Sequence, residues 1–202
     1  MSILHDLRQD ARFHHQLRFP ELSPTILSWT KVLFGSRGLF VVAVHRLSYC
    51  YFERRPNEIS RWLYIPMIHL GIYLSKVAAK CHILSSVHFE PGIYLSNHGH
   101  IILGARTIGS GTIIHNRVTI GMNLFNRGTP EIGKNVWIGS QCVINGNIKI
   151  GDGVTILSGT VLTKSLPPGV VVEGNPARIV KRDFDNFKLR CTLSPEIGSL
   201  FK

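Results

Sequence analysis

The chain has 202 residues, of which 44% are hydrophobic and 17% charged, so it is long enough for one large or two small domains and too apolar for broad disorder. Its formal net charge of +11 favours anionic partners, such as phosphorylated cofactors, acidic glycans or lipid headgroups. Because the chain has no basic stripe interleaved with aromatic residues, we expect no nucleic-acid partner.

The cysteines lie far apart and form no CxxC pair, which indicates reduced thiols and a cytoplasmic location: Cys50, Cys81, Cys142 and Cys191. The first residues lack the apolar core of a signal peptide. The most apolar window, residues 62–79, is short for a membrane span and is interrupted by Pro66, His69 and Lys76. We expect this window to be buried against the rest of the chain, and contact with a bilayer surface stays open.

Residues 1–80 form the first predicted unit, an α-helical N-terminal region. Residues 1–25 are polar and give little indication of structure. Apolar residues then follow a helical spacing around Leu39 and Val42, in a segment that Arg54, Arg55 and Pro56 should end. A second helix over residues 59–80 is expected to kink or start anew near Pro66. This region could pack over one end of the next domain, hold subunits together or touch a membrane.

The second predicted unit, residues 81–180, is dominated by a strict six-residue repeat. An aliphatic residue recurs at every sixth position from residue 132 to residue 162: Ile132, Ile138, Ile144, Ile150, Ile156 and Leu162. The same phase appears upstream at Ile108, Ile114 and Ile120. Neither a helix nor a half-buried strand has a period of six. A parallel β-helix does, because each six-residue unit forms one side of a triangular coil.

The positions around this repeat complete the prediction of a β-helix. The aliphatic residue should point into the prism, while glycine and asparagine turn the corners with positive φ. Residues 122–130 break the composition, so we interpret them as a loop outside the prism. The chain should leave the prism through Pro167 and Pro168, form a last strand over residues 170–172, and end in a tail, residues 181–202.

Several motifs in residues 144–178 resemble those of the hexapeptide-repeat acyltransferases. They are Ile144-Asn145-Gly146-Asn147-Ile148, residues 157–162, Pro167-Pro168-Gly169 and Gly174-Asn175-Pro176-Ala177-Arg178. A helical region before the β-helix is similar to the serine O-acetyltransferase branch and its polysaccharide O-acetyltransferase relatives. The resemblance covers residues 80–182 well and residues 26–79 loosely. It implies a mainly β fold, a left-handed parallel β-helix, with homotrimers and acetyl-CoA between adjacent prisms; pairing of two trimers stays open.

The resemblance also implies residues for the co-substrate. Four small residues on adjacent coils would line the pantetheine arm: Gly139, Ser140, Ser158 and Gly159. Lys164 and Arg178 are the candidates for the phosphates of coenzyme A, which a basic protein attracts. Acetyl transfer needs a base near the acceptor oxygen and donors for the thioester oxyanion, and no metal is expected.

The residues that serve serine acetylation in the family are absent at the matching positions. The family's Asp-His pair falls on Ser96 and Asn97, and its orienting aspartate falls on His82. The downstream Arg-His falls on Gly128 and Thr129. From this departure we expect an acceptor other than free serine, either a sugar or glycan hydroxyl or a small metabolite.

Three histidines are candidates for the missing base: His98, His100 and His115. One coil has lost a residue, so the 17-residue spacing of His98 and His115 should stack them on one face, with His100 on the same edge. A neutral imidazole near pH 7 is the commonest general base.

Two other functions stay open. Three histidines could hold zinc as in the gamma-class carbonic anhydrases, which share this fold. Alternatively, the chain could be a trimeric scaffold that has lost its chemistry, as the missing Asp-His pair suggests.

Overall fold

The computed structural model describes residues 3–18, 32, 35–54, 58–123 and 127–191. Within these residues, three helices precede the β-rich part and one follows it: α1 (Ile3–Arg18), α2 (Arg37–Arg54), α3 (Glu58–Val77) and α4 (Phe187–Cys191). Among the described residues, no helix has the length and apolarity needed to cross a membrane.

Fifteen short strands lie between α3 and α4. They are β1 (Cys81–Ile83), β2 (His88–Phe89), β3 (Tyr94–Leu95), β4 (Ile101–Leu103), β5 (Thr107–Ile108), β6 (Ile113–Ile114), β7 (Thr119–Gly121), β8 (Glu131–Ile132), β9 (Trp137–Ile138), β10 (Val143–Asn145), β11 (Lys149–Ile150), β12 (Thr155–Ile156), β13 (Val161–Leu162), β14 (Val171–Glu173) and β15 (Arg178–Lys181). From β1 to β13, every third strand shares a sheet, as a three-sided coil requires.

The three sides of the prism are parallel sheets. Sheet I contains β1, β4, β7, β10 and β13, and sheet II contains β2, β5, β8 and β11. Sheet III contains β3, β6, β9, β12 and β14, with β15 added antiparallel at its end. The register between complete coils is 18 residues, as in Trp137 beside Thr155. The expected mainly β, parallel β-helix fold is confirmed.

The aliphatic repeat forms the core of the prism. Its residues are buried in one cluster, including Ile114, Ile138 and Ile156 on successive strands of sheet III. The backbone groups between these layers are paired from coil to coil, for example Gly139 N to Ile156 O at 2.8 Å. The prediction that the aliphatic residues point into the prism is therefore confirmed.

The glycines that directly follow the aliphatic repeat were expected to adopt positive φ, but the structure gives them a different role. A Cβ atom at Gly133 or Gly151 would lie under 3.0 Å from backbone atoms of the next coil, and neither residue has a positive φ. Their small size therefore permits close approach of coils. Positive φ occurs elsewhere, and at one corner it is adopted by His100, Arg117 and Gln141.

The loop and the exit follow the prediction closely. Residues 122–123 and 127–130 contain no strand, while residues 124–126 lie outside the described residues. The last strand of the prism is Val171–Glu173, one residue later than predicted. The tail begins with the antiparallel strand β15 and the short helix α4.

The N-terminal helices pack over the first coil of the prism. Val41 and Val42 of α2 belong to the same buried cluster as Cys81 and Val87. Helix α3 continues through Pro66 as one element instead of restarting there. Of the three roles left open for the helical region, packing over one end of the prism is observed.

Helix α1, which the sequence did not predict, holds the other helices to the prism. The carboxylate of Asp10 is fully buried and accepts hydrogen bonds from Arg46 Nε and Nη2. It also accepts from the backbone N–H groups of Gly92 and Ile93, at 2.7 and 3.1 Å. Arg46 of α2 is therefore an internal ion-pair partner.

A second apolar cluster lies on the outer face of sheet III. It consists of Ile113 and Trp137 from the sheet, Leu17 from α1 and Leu189 from α4. The two terminal helices thus cover this side of the prism.

Candidate functional site

Four coils present their turns along one edge of the prism, where sheet III passes into sheet I. We call this the III–I edge; it consists of residues 96–100, 115–118, 139–142 and 157–160. Backbone hydrogen bonds fix the levels: Ser96 N donates to Ile114 O, and Gly159 N donates to Ser140 O. All three histidine candidates and all four candidates for the pantetheine arm lie on this edge.

The first turn of the edge is two residues longer than the turn beneath it. Leu95 and Leu103 are eight positions apart, whereas their register partners Ile114 and Ile120 are six apart. His98 and His100 lie in this longer turn, and both side chains are exposed. His100 adopts a φ of 57°, a conformation in which histidine is enriched among non-glycine residues.

The expected stacking of His98 on His115 is wrong, although both lie on the same edge. Arg117 N donates to Gly99 O at 3.1 Å, so the residue of the upper coil that lies beside Arg117 is His100. The residue of the upper coil that lies beside His115 is Ser96. The two additional residues in the upper turn shift the register and separate the histidines that the 17-residue spacing had paired.

His115 has a more enclosed environment than the other two histidines. Its ring lies 4.5 Å from the ring of Trp137, between centroids, and its Nε2 atom is buried without a hydrogen-bond partner among the described residues. Burial lowers the pKa of His115 to about 4. The imidazole is therefore neutral at pH 7, but it is a weak base there and its Nε2 is not accessible to solvent.

The four small residues predicted for the pantetheine arm are adjacent in space. Ser140 N donates to Ser158 Oγ at 3.2 Å, and Ser140 Oγ donates to Asn116 Oδ1 at 2.8 Å. A Cβ atom on Gly139 would lie 2.7 Å from Ser158 N, so only glycine fits at that position. Ser158 and Gly159 are exposed. The result is a narrow polar strip along one edge, exposed at Ser158 and Gly159, with Gly139 buried and Ser140 half-buried.

The two predicted phosphate ligands lie at different corners of the prism. Ala177 N donates to Val161 O at 3.0 Å. This bond brings Arg178 beside the start of β13, two residues after Gly159. Lys164 follows β13 and belongs to the next corner, between sheets I and II. Both side chains are exposed.

Asn97 links the long turn to the helical region. Its Oδ1 atom accepts hydrogen bonds from Gly38 N at 3.1 Å and from Ser36 Oγ at 3.3 Å. Ser36 in turn contacts His14 Nδ1 and accepts from Leu39 N at the start of α2. Asn97 thus fixes the turn that carries His98 and His100 to the helical region.

Two residues of the edge were missed from the sequence. Arg117 is an exposed cation at the level of His100, and Asn116 accepts from Ser140 Oγ. Counting one 17-residue coil onward from His100 would have found Arg117. Asn116 carried no comparable signal, because asparagine is common at solvated corners.

Within the described residues, no three His, Cys, Asp or Glu side chains come together in a geometry that could hold a metal ion. The three histidines are therefore not a ready zinc site within one chain. What the edge provides is two accessible imidazoles, a cation and a polar backbone strip in one line. An accessible imidazole in such a position can remove a proton from a hydroxyl group.

Comparison with known proteins points to one group of enzymes. The family description "Bacterial transferase hexapeptide (six repeats)" matches residues 129–164. Serine acetyltransferase of Buchnera aphidicola subsp. Schizaphis graminum is 29% identical over 90% of this chain and 66% of its own length. Galactoside O-acetyltransferase of Escherichia coli (strain K12) is 32% identical over 49% of this chain and 62% of its own length. The chain therefore spans about two thirds or less of these curated relatives.

Solved structures share the architecture. Serine acetyltransferase from Brucella abortus strain S19, in complex with coenzyme A, matches with a TM-score of 0.73 and 25% identity. The match covers 89% of this chain and 68% of that chain, so it includes the helical region as well as the β-helix.

Proposed function

We propose that this chain transfers an acetyl group from acetyl-CoA to a hydroxyl group, which its similarity to hexapeptide-repeat acetyltransferases supports. The observation that carries the proposal is the III–I edge. There the polar strip from Gly139 to Gly159 is followed, on the next coil, by the turn at residues 115–118, and one coil further by the turn with His98 and His100.

His100 is the base that we favour. Its side chain is exposed, and its turn is fixed by Asn97. The imidazole would take the proton of the acceptor hydroxyl as the oxygen attacks the thioester carbonyl. When the tetrahedral intermediate collapses, the imidazolium would return that proton to the sulfur of coenzyme A. His98 is the second candidate, and His115 is the third because its Nε2 is enclosed.

Coenzyme A would lie along the edge, with the pantetheine amides against Gly139, Ser140, Ser158 and Gly159. Ser158 and Gly159 are exposed, and the space around Gly159 is open, so an extended ligand could approach the backbone closely there. Arg178 and Lys164 would hold phosphate groups, and the overall charge of +11 would attract them. A structurally similar relative has been solved with coenzyme A, which supports this co-substrate.

For the acceptor, we favour a sugar or glycan hydroxyl, with a small metabolite second. The galactoside relative supports a sugar, and the absence of the family's Asp-His pair at Ser96 and Asn97 argues against serine. The comparisons give no support for excluding serine, since several relatives are named serine acetyltransferases. Serine therefore belongs among the acceptors to be tested.

We further propose a homotrimer in the cytoplasm. A single narrow edge encloses an extended ligand poorly, whereas the cleft between two prisms would cover it on both sides. The described cysteines Cys50, Cys81 and Cys142 are free, which supports a reducing compartment. Whether two trimers pair is a question for mass measurement in solution.

The test is an acetyl-transfer assay with labelled acetyl-CoA and a panel containing galactosides, other sugars and serine. We expect His100→Ala to lower kcat by about 10²–10⁴-fold while coenzyme A binding, measured by calorimetry, is unchanged. His88→Ala removes another exposed imidazole of the first coil and should keep the wild-type rate. Full activity in both His98→Ala and His100→Ala would disprove the base assignment. Coenzyme A binding without turnover on any acceptor would favour the scaffold, and stoichiometric zinc in the purified protein would favour the carbonic anhydrase alternative.

A further inference from the structure

Helix α3 has an apolar face that the described part of the chain does not cover. Six large side chains on it are between 40 and 83% exposed: Trp62, Met67, Leu70, Tyr73, Leu74 and Val77. At 100° per residue they occupy a continuous arc of about 140°. The sequence places no charged residue within that arc between residues 62 and 77. We call this surface the α3 face.

The opposite side of the helix explains why the α3 face points outward. Ile68 and Ser75 are buried, and Gly71 lies so close to α2 that an added Cβ would be 3.1 Å from Val44 Cγ1. Helix α3 is therefore fixed to α2 by one side, and its more apolar side is turned away. Contiguous exposed apolar surface of this size usually marks an interaction site.

The charge around the α3 face identifies its partner. The sequence has no acidic residue between positions 59 and 89, and the described cations there, Lys76 and Lys80, are both exposed. Lys76 and His69, both exposed, border the arc on the helix itself. Two copies of this chain meeting through the face would bring two such basic segments together. An anionic surface would instead be attracted by them.

From this combination we propose that the α3 face binds the surface of a bilayer that contains anionic lipids. Apolar side chains would enter the region between headgroups and acyl chains, while lysine and arginine contact the headgroups. Trp62 and Tyr73 suit that depth, because their rings are apolar with one polar group. The helix would lie along the membrane, consistent with its lacking the apolarity to cross it.

The test is co-sedimentation of the full chain with vesicles, which needs no substrate and is thus independent of the proposed acyl transfer. We expect binding to phosphatidylcholine vesicles that contain phosphatidylglycerol, weaker binding to phosphatidylcholine alone, and loss of binding as salt is raised. Trp62→Ser with Leu70→Ser should weaken binding by about tenfold or more. A matched double variant, Met122→Ser with Val180→Ser, removes two exposed apolar residues elsewhere and should bind normally.

Two results would overturn the proposal. One is the absence of wild-type binding to both kinds of vesicle. The other is a fall in oligomer mass by light scattering in the Trp62→Ser, Leu70→Ser variant with unchanged vesicle binding, which would make the α3 face a contact between subunits. A blue shift of tryptophan fluorescence on vesicle addition that disappears in Trp62→Phe would show that this side chain enters the bilayer.

Discussion

Asp10→Ala removes a fully buried carboxylate that accepts four hydrogen bonds, two from Arg46 and two from the backbone of Gly92 and Ile93. Arg46 is only 7% exposed and would keep Asp6, at 3.9 Å, as its remaining carboxylate. The more distant Asp6 would compensate the buried charge of Arg46 only in part, so we expect a loss of about 3 kcal/mol in the free energy of unfolding, at the low end for breaking a buried ion pair.

Urea denaturation at fixed protein concentration measures this loss, with helical circular dichroism as the signal. The double variant Asp10→Ala, Arg46→Met removes the stranded charge and should be more stable than Asp10→Ala alone. Glu131→Ala is the matched control, because Glu131 also contacts two cations, Arg106 and Lys149, but at the surface. Its effect should be close to the error of the measurement. If Asp10→Ala is no worse than Glu131→Ala, or the double variant is the less stable, the buried pair does not hold the helices to the prism.

Three further predictions concern the edge and the core. Asn97→Leu should lower kcat more than it changes KM, because it frees the turn that carries His100. Hydrogen exchange at residues 96–101 should also rise, even without substrate. Unchanged exchange would contradict this role of Asn97. Burial lowers the pKa values of His45 and His115 to about 4, so the unfolded chain binds more protons between pH 4 and 6.5. The stability that the two neutral histidines contribute should therefore be fully present above pH 6.5 and fall as the pH drops toward 4. In thermal unfolding, His115→Phe should make this fall smaller. An unaltered pH profile would refute the prediction. Gly133→Val should destabilise the fold by about 2 kcal/mol or more, because its Cβ would overlap Asp152 N. Gly153→Ala should be less destabilising in the same assay, because that position has free space and is strained only by its φ of 67°.

The core of the β-helix was predictable because one physical rule acts at every coil. An inward position must be aliphatic, and its neighbours six residues away obey the same rule, so the pattern is visible without any tertiary information. Ile138 and Ile144 were assigned to the core on that basis, and both are fully buried. The short exit strand was also predictable, to within one residue, from the end of the repeat and the prolines.

Helix α1 could not be predicted, because its stability comes from contacts distant in sequence. Its mean composition is polar, and Asp10 and His14 look like surface residues until Arg46 and Ser36 are placed beside them. The burial of Arg46 could not be predicted for the same reason. A charged residue is assigned to solvent by default, and only the structure reveals the carboxylate that lies 36 positions earlier.

The edge was predicted in part. Gly139, Ser140, Ser158 and Gly159 lie together as expected, since all four belong to complete 18-residue coils. The alignment of the histidines failed because the long turn at residues 96–100 contains two extra residues. Counting in steps of six residues cannot detect those two extra residues, because the corner after Leu103 is shorter than usual. The total length of the coil therefore changes by less than two residues. The register of an irregular corner depends on backbone pairing with its neighbours, which the sequence does not reveal.

A crystal structure with coenzyme A bound is the most direct test of the III–I edge as the acyl-transfer site. We predict a pantetheine arm along Gly139, Ser140, Ser158 and Gly159, between two prisms, with the sulfur within reach of the imidazole of His100 or His98. Coenzyme A bound on another edge, or a sulfur atom with no imidazole near it, would contradict the proposal.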